Sequence, residues 1–135
     1  MSSRTVIGLD VGEKRIGVAV ADIGVRIAVP FETVEVNGTE VEAIAKIVLQ
    51  EGADRIVIGY PRNQAGETTT QTAFVEQFAG KLKDLDAEIV YQDESLTSVL
   101  AEQRLTSYGK PYSKGDIDAQ AATIILQDFL EARYG

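Results

Sequence analysis

The chain of 135 residues has no cysteine and no histidine, and its 21 acidic residues against 13 basic ones give a formal charge of −8. The two zeros exclude a disulfide framework, a Cys/His zinc site, a thiol nucleophile and any imidazole acid or base, and the charge argues against a broad, non-specific grip on a polyanion. A hydrophobic share of 44%, no apolar run near the roughly 20 residues of a membrane span and no apolar signal region after Met1 predict one globular domain over residues 1–135, without a membrane association and with a cytoplasmic address.

The first half of the chain reads as a meander followed by a switch to helix. Thr5 to Asp10 is an apolar, β-rich run, a buried strand. Asp10 to Lys14 holds the residues of a tight turn, Arg15 to Ala21 is a second strand, Asp22 to Gly24 turns again, and Arg26 to Val36 offers a third strand interrupted at Pro30. Thr39 and Glu42 have the spacing of a capping box, so a helix is predicted from there, carried by Val41, Ile44, Ala45, Val48 and Leu49 and stopped at Gly52.

Alternation continues in the second half. Asp54 to Tyr60 is a fourth strand and Pro61 to Gly66 a polar loop. Thr68 to Leu85 is a second helix, Ala87 to Gln92 a fifth strand, and Leu96 to Ser107 a third helix. Tyr108 to Gly115 is a loop rich in Gly, Pro, Lys and Tyr, and Asp116 to Tyr134 is a long last helix. A meander followed by βαβ units predicts an α/β fold, a mixed sheet with helices on both faces.

With no thiol or imidazole, chemistry falls to carboxylates, and these stand in suggestive places. Asp10 ends the first strand, with Gly12 beside it leaving room for a ligand; the plainer role is a turn cap. Asp93 and Glu94 follow the fifth strand at its carboxyl end, where open sheets build their sites. Consecutive residues of an extended segment face opposite ways, so only one of them can share a crevice with Asp10, and periodicity leaves open which. In the last helix Asp118 shares a stripe with Ala121, Ala122, Ile125 and Phe129, whereas Asp116 shares one with Ala119, Gln120, Thr123 and Gln127. A carboxylate on an apolar stripe is costly unless paired or bound to a cation. Asp118 is therefore the candidate, held otherwise by a basic neighbour such as Lys114, and Asp116 reads as a charge favouring the helix dipole. Converging carboxylates suit a hard cation such as Mg²⁺, and two such ions can clamp a phosphodiester displacement. Lys14, Arg15, Arg62, Asn63, Lys110 and Lys114 lie in loops predicted at the same end, with Tyr108 and Tyr112 interleaved, a mix that suits phosphate contact and base stacking.

Four blocks carry a resemblance. Gly8-Leu-Asp-Val-Gly-Glu-Lys-Arg-Ile-Gly-Val-Ala-Val-Ala-Asp22, Ile58-Gly-Tyr-Pro-Arg-Asn-Gln-Ala-Gly-Glu67, Asp93-Glu-Ser-Leu-Thr-Ser98 and Asp118-Ala-Gln-Ala-Ala-Thr-Ile-Ile-Leu-Gln127 resemble, in order and spacing, the motifs of the YqgF family of the ribonuclease H-like superfamily. Its members are described as nucleases of precursor 16S ribosomal RNA or as Holliday junction resolvases. The resemblance implies a five-stranded mixed sheet in the order 3-2-1-4-5, flanked by helices. It also implies a catalytic, metal-binding triad at Asp10, Glu94 and Asp118, which decides between Asp93 and Glu94. Arg62, Ala65 and Ser95 depart from the family pattern, and the segment from Tyr108 to Gly115 is short of Arg. Together these features predict a hydrolase, an endonuclease using Mg²⁺ or Mn²⁺ as two ions, with precursor 16S ribosomal RNA as substrate in ribosome biogenesis. A four-way DNA junction is the alternative substrate, and a non-catalytic module binding RNA or ribosome-assembly partners is the alternative class. Either a monomer or a homodimer is compatible with the sequence, a dimer if two symmetric cuts are made.

Overall fold

A computed structural model describes residues 4–63, 65–94 and 97–134. Its elements are β1 (Thr5–Val11), β2 (Arg15–Asp22), β3 (Val29–Glu35), α1 (Glu40–Glu51), β4 (Ala53–Pro61), α2 (Thr70–Lys81), β5 (Glu88–Glu94), α3 (Thr97–Ser107) and α4 (Lys114–Tyr134). The sheet runs β3-β2-β1-β4-β5, as expected from the family resemblance. β1 pairs antiparallel with β2 and parallel with β4, so the central strand marks the switch between the two halves.

Strand alternation divides the core in two. Ile7, Leu9, Ile16, Val18, Ile56 and Ile58 point to one face and pack with Ile44 and Val48 of α1 and Val75, Phe78 and Ala79 of α2. Val6, Ala19, Ala21 and Val57 point to the other and pack with Ala122, Ile125, Leu126, Phe129 and Leu130 of α4. Gly8 and Gly17 let α4 approach on that second face. A Cβ on Gly8 would lie 2.7 Å from the Leu126 Cβ, and one on Gly17 would lie 1.8 Å from the Asp118 carbonyl oxygen.

Several boundaries differ from the sequence expectation for physical reasons. β3 begins at Val29, not Arg26, because the Arg26 N–H donates to the Asp22 carbonyl at 2.7 Å and Arg26 takes a left-handed φ of 63°. Pro30 lies inside β3, paired with Ala19 next to a bulge, and an edge strand tolerates the missing N–H. The Thr39 hydroxyl does not cap α1: it donates to Asn37 Oδ1 at 2.6 Å, while Glu40 Oε1 accepts the Asn37 and Gly38 N–H groups. A reciprocal capping box does form at α2, between Thr69 and Thr72. That helix starts at Thr70 and ends at Lys81, short of Leu85, where successive tight turns through Leu82 and Leu85 unwind it. α4 starts two residues earlier than Asp116, since Ser113 and Asp116 cap each other: the Ser113 N–H donates to Asp116 Oδ2 at 2.9 Å and the Asp116 N–H to Ser113 Oγ at 3.2 Å. Leu96, where the third helix is expected to begin, lies outside the described residues, as does Ser95.

Candidate active site

The three carboxylates predicted to act together come from separate elements on the α4 side of the sheet. Asp10 is the sixth residue of β1 and pairs with Gly17 of β2. Its parity follows Val6 and Gly8, so its side chain leaves the sheet on the face that α4 covers. On β5, Val90 packs with the α4 core and Ile89 with the α1/α2 core. Parity then puts Glu94 on the side of Asp10 and Asp93 on the opposite one, which answers the question the fifth strand left open.

Glycine makes the space between them. Gly59 of β4 follows the Leu9–Ile58 pair by one residue and so lies beside Asp10. A Cβ there would sit 2.9 Å from Glu94 Oε2 and 2.6 Å from Ile125 Cδ1. The Glu94 carboxylate therefore reaches across β4 towards the central strand. From above, Asp118 in the second turn of α4 comes down over Gly17, with its backbone carbonyl against the strand. Gly17 and Gly59 thus flank Asp10 on its two neighbouring strands. The sequence showed both as glycines within strand runs, a signal of close approach that was passed over.

The electrostatics record this convergence. Asp10 is half-buried, and its carboxyl is pushed from an ordinary 3.8 up to about 8, first by desolvation, then by the Glu94 charge, then by the Asp118 charge. Asp118 is itself paired: Arg15 Nε donates to its Oδ2 at 2.6 Å, with both side chains mostly covered. The basic partner foreseen as Lys114 is instead Arg15, brought in by the register of β2 under the start of α4. Among the described residues no three acidic side chains close to metal-binding geometry as they stand. The donor set is nevertheless all oxygen, and a cation beside Asp10 would favour the ionised carboxylate that burial and its two acidic neighbours disfavour, so the residues fit a hard divalent ion in chemistry.

The expected basic residues are engaged in different ways. Lys14 is exposed in the β1–β2 turn, Lys110 is exposed before α4, and Lys114 is exposed as its first residue. The start of α4 is tied to the sheet by Thr33 Oγ1, which donates to the Gly115 carbonyl at 2.6 Å. Arg62 Nε donates to Asp93 Oδ1 at 3.0 Å. Asn63 organises its own loop, its Oδ1 accepting the Ala65 and Glu67 N–H groups at 3.0 and 2.9 Å.

Comparison with known proteins agrees with this architecture. The model of the RuvX family, described as Holliday junction resolvase, matches residues 4–132. A protein of Chloroflexus aggregans named "Putative pre-16S rRNA nuclease" is 44% identical over 138 residues, covering 98% of this chain and 97% of its own length. Its counterpart from Gloeobacter violaceus is 42% identical, covering 96% of this chain and 85% of its own. Among solved structures, Thermus thermophilus RuvC in complex with a Holliday junction substrate superposes with a TM-score of 0.61 at 15% identity, covering 96% of this chain and 94% of that one. Fowlpox virus resolvase with Holliday junction DNA gives 0.60 at 8% identity, covering 97% and 99%. At those identities the two structures share the fold, whereas the family match and the relatives above 40% run through nearly the whole sequence: the chain belongs to the RuvX family of nucleases, the YqgF family that its motifs resemble.

Proposed function

We propose that this chain is a divalent-metal-dependent endonuclease that cuts structured nucleic acid, with the precursor of 16S ribosomal RNA as its substrate. The observation that supports the proposal is the gathering of Asp10, Glu94 and Asp118 about Gly17 and Gly59, where burial first and the two neighbouring carboxylates next raise the Asp10 carboxyl. Curated relatives bearing the pre-16S rRNA nuclease name support the substrate.

Asp10, Glu94 and Asp118 would hold the ions, with Asp10 placed between the other two. A bound divalent cation supplies Lewis-acid activation and charge neutralisation for displacement at phosphorus. The chain's own residues do the rest. Asp10 must give up its proton to become a ligand. Asp118 must exchange Arg15 for the cation, which frees the guanidinium at the edge of the site to meet a phosphate. Lys14 in the β1–β2 turn, Lys110 before α4 and Lys114 at its first residue position the backbone of the substrate. Gly17 and Gly59 keep the surroundings of Asp10 free of side chains.

A second substrate class has its own support, because the matching family model is described as a junction resolvase and both superposed structures hold junction DNA. Cleavage of a labelled precursor 16S RNA fragment and of a four-way DNA junction, each with Mg²⁺, by wild type and Asp10→Asn separates the two. RNA cut by wild type alone is the expected result. Cutting of the junction alone moves the function to junction resolution and predicts a dimer. Binding without cutting of either leaves a binding module and ends the catalytic proposal.

A further inference from the structure

The sheet has a second feature at the same end, on the face turned away from Asp10. Tyr60 near the end of β4, Arg62 just beyond it, and Tyr91 and Asp93 in the second half of β5 line, with Gln92, an open cleft of about 480 Å³. The two tyrosine rings lie 4.8 Å apart, tilted by 53°. The Arg62 guanidinium sits 4.8 Å from the Tyr60 ring centroid. Tyr91 is 43% exposed on an edge strand. Asp93 and Glu94 are consecutive, so the cleft and the carboxylate cluster lie on opposite sides of one strand end.

What this cleft offers is a stacking surface. Arg62 is paired with Asp93 and lies over the Tyr60 ring, so its charge is matched within the protein. It therefore makes a poor phosphate clamp, which revises the role expected for it. Two aromatic rings, a guanidinium over one of them and an exposed carboxylate suit a flat heterocycle, with π-faces for the ring and a polar group for its edge. A base inside a duplex has both faces covered and cannot use the cleft.

We propose that Tyr60, Arg62 and Tyr91 form a stacking subsite for one unpaired nucleobase, with Asp93 at its hydrogen-bonding edge. The subsite rests on the reading of the chain as a nucleic-acid enzyme, and it would hold a nucleotide that has left the helix next to the cut. It biases the enzyme towards substrates with single-stranded character at that point.

The test is binding, measured without divalent metal so that it does not depend on cleavage. Fluorescence anisotropy in EDTA is recorded for a single-stranded RNA decamer, its DNA counterpart and a blunt RNA duplex. Tyr91→Ala is expected to weaken decamer binding about 10- to 100-fold, the size of one lost base stack, with the salt slope and the duplex affinity unchanged. Tyr91→Phe is expected to bind as wild type. Tyr91→Leu keeps an apolar side chain in the strand and should lose as much as Tyr91→Ala. Arg62→Ala should weaken binding without lowering the salt slope, whereas loss of a phosphate contact would lower it by about 0.7. A loss on either decamer supports the subsite and shows which sugar it accepts. Wild-type affinity of Tyr91→Ala and Tyr91→Leu for both decamers overturns it. Because metal is absent, that failure is distinguishable from a failure to cut.

Discussion

Replacing Asp10 by asparagine should stabilise the protein at neutral pH in the absence of divalent cations. The side chain keeps its shape and loses a charge that its surroundings oppose. Its carboxyl titrates near 8 in the folded chain against an ordinary 3.8. At about 1.4 kcal/mol per pH unit, the ceiling on the stabilisation is about 6 kcal/mol. Relaxation of Glu94 and solvent at the rim reduce this to about 2–3 kcal/mol, which in a chain of this size raises Tm by roughly 10 °C. The sign follows from proton binding. Between about pH 4 and pH 8 folded wild type holds a proton that the unfolded chain has released, so wild type loses stability relative to the variant as pH rises through that window. Near pH 4 folded Asp10 is protonated and the unfolded one is only about half ionised, so the gap should shrink to a fraction of a kcal/mol. Thermal unfolding by circular dichroism in EDTA at pH 4, 6 and 8 measures the difference. A variant less stable than wild type at pH 8, or a gap independent of pH, would refute the electrostatic picture of the site.

Arg15→Gln should bind Mn²⁺ several-fold more tightly than wild type in calorimetric titration, since the substitution removes both the partner that occupies Asp118 at 2.6 Å and a positive charge at the site; equal or weaker affinity would show that the pair does not compete with metal. Gly17→Ala must push α4 off the sheet, because the new methyl would lie 1.8 Å from the Asp118 carbonyl oxygen. A loss of about 3 kcal/mol in urea unfolding, at the upper end of overpacking costs, is expected, and a neutral outcome would mean that α4 does not approach β2 so closely. Thr72→Val keeps the volume of a fully buried residue but strands the Pro61 carbonyl and the Thr69 N–H, which the threonine hydroxyl serves as donor and acceptor. It should cost about 2 kcal/mol in the same assay, and a change below about 0.5 kcal/mol would contradict that role.

Much of this arrangement was legible in the sequence where one physical signal dominated. The runs Thr5 to Asp10 and Arg15 to Ala21 are buried on both faces and became β1 and β2 nearly residue for residue. Asp118 stands out because its helical neighbours are apolar, and of these Ala122, Ile125 and Phe129 do pack on the sheet, while Ala121 packs against α3. The same reasoning misjudged the opposite stripe of α4. Ala119, Gln120 and Thr123 read as a mostly polar face but are buried: the Thr123 hydroxyl is satisfied by the Ala119 carbonyl, and α3 packs against the helix through Ala101, Ala121 and Ile124. A tertiary cover of that kind has no local signature. α1 begins after Thr39 as expected, but hydroxyls had a choice of partner: Thr39 bonds Asn37 and makes no cap, while Thr69 and Ser113 take the capping roles at α2 and α4. The choice between Asp93 and Glu94 needed the register of β5 against β4, and the pairing of Arg15 with Asp118 needed the placement of α4 over β2. Both depend on contacts between distant parts of the chain.

The measurement that bears most directly on the proposed chemistry is a calorimetric titration of Mn²⁺ and Mg²⁺ into wild type, Asp10→Asn, Glu94→Gln and Asp118→Asn at pH 8. Saturable binding to wild type, approaching two ions per chain and weakened at least tenfold by each substitution, is the expected result. Equal binding by all four proteins, or none by wild type at millimolar metal, would contradict the assignment of Asp10, Glu94 and Asp118 as the metal-holding carboxylates.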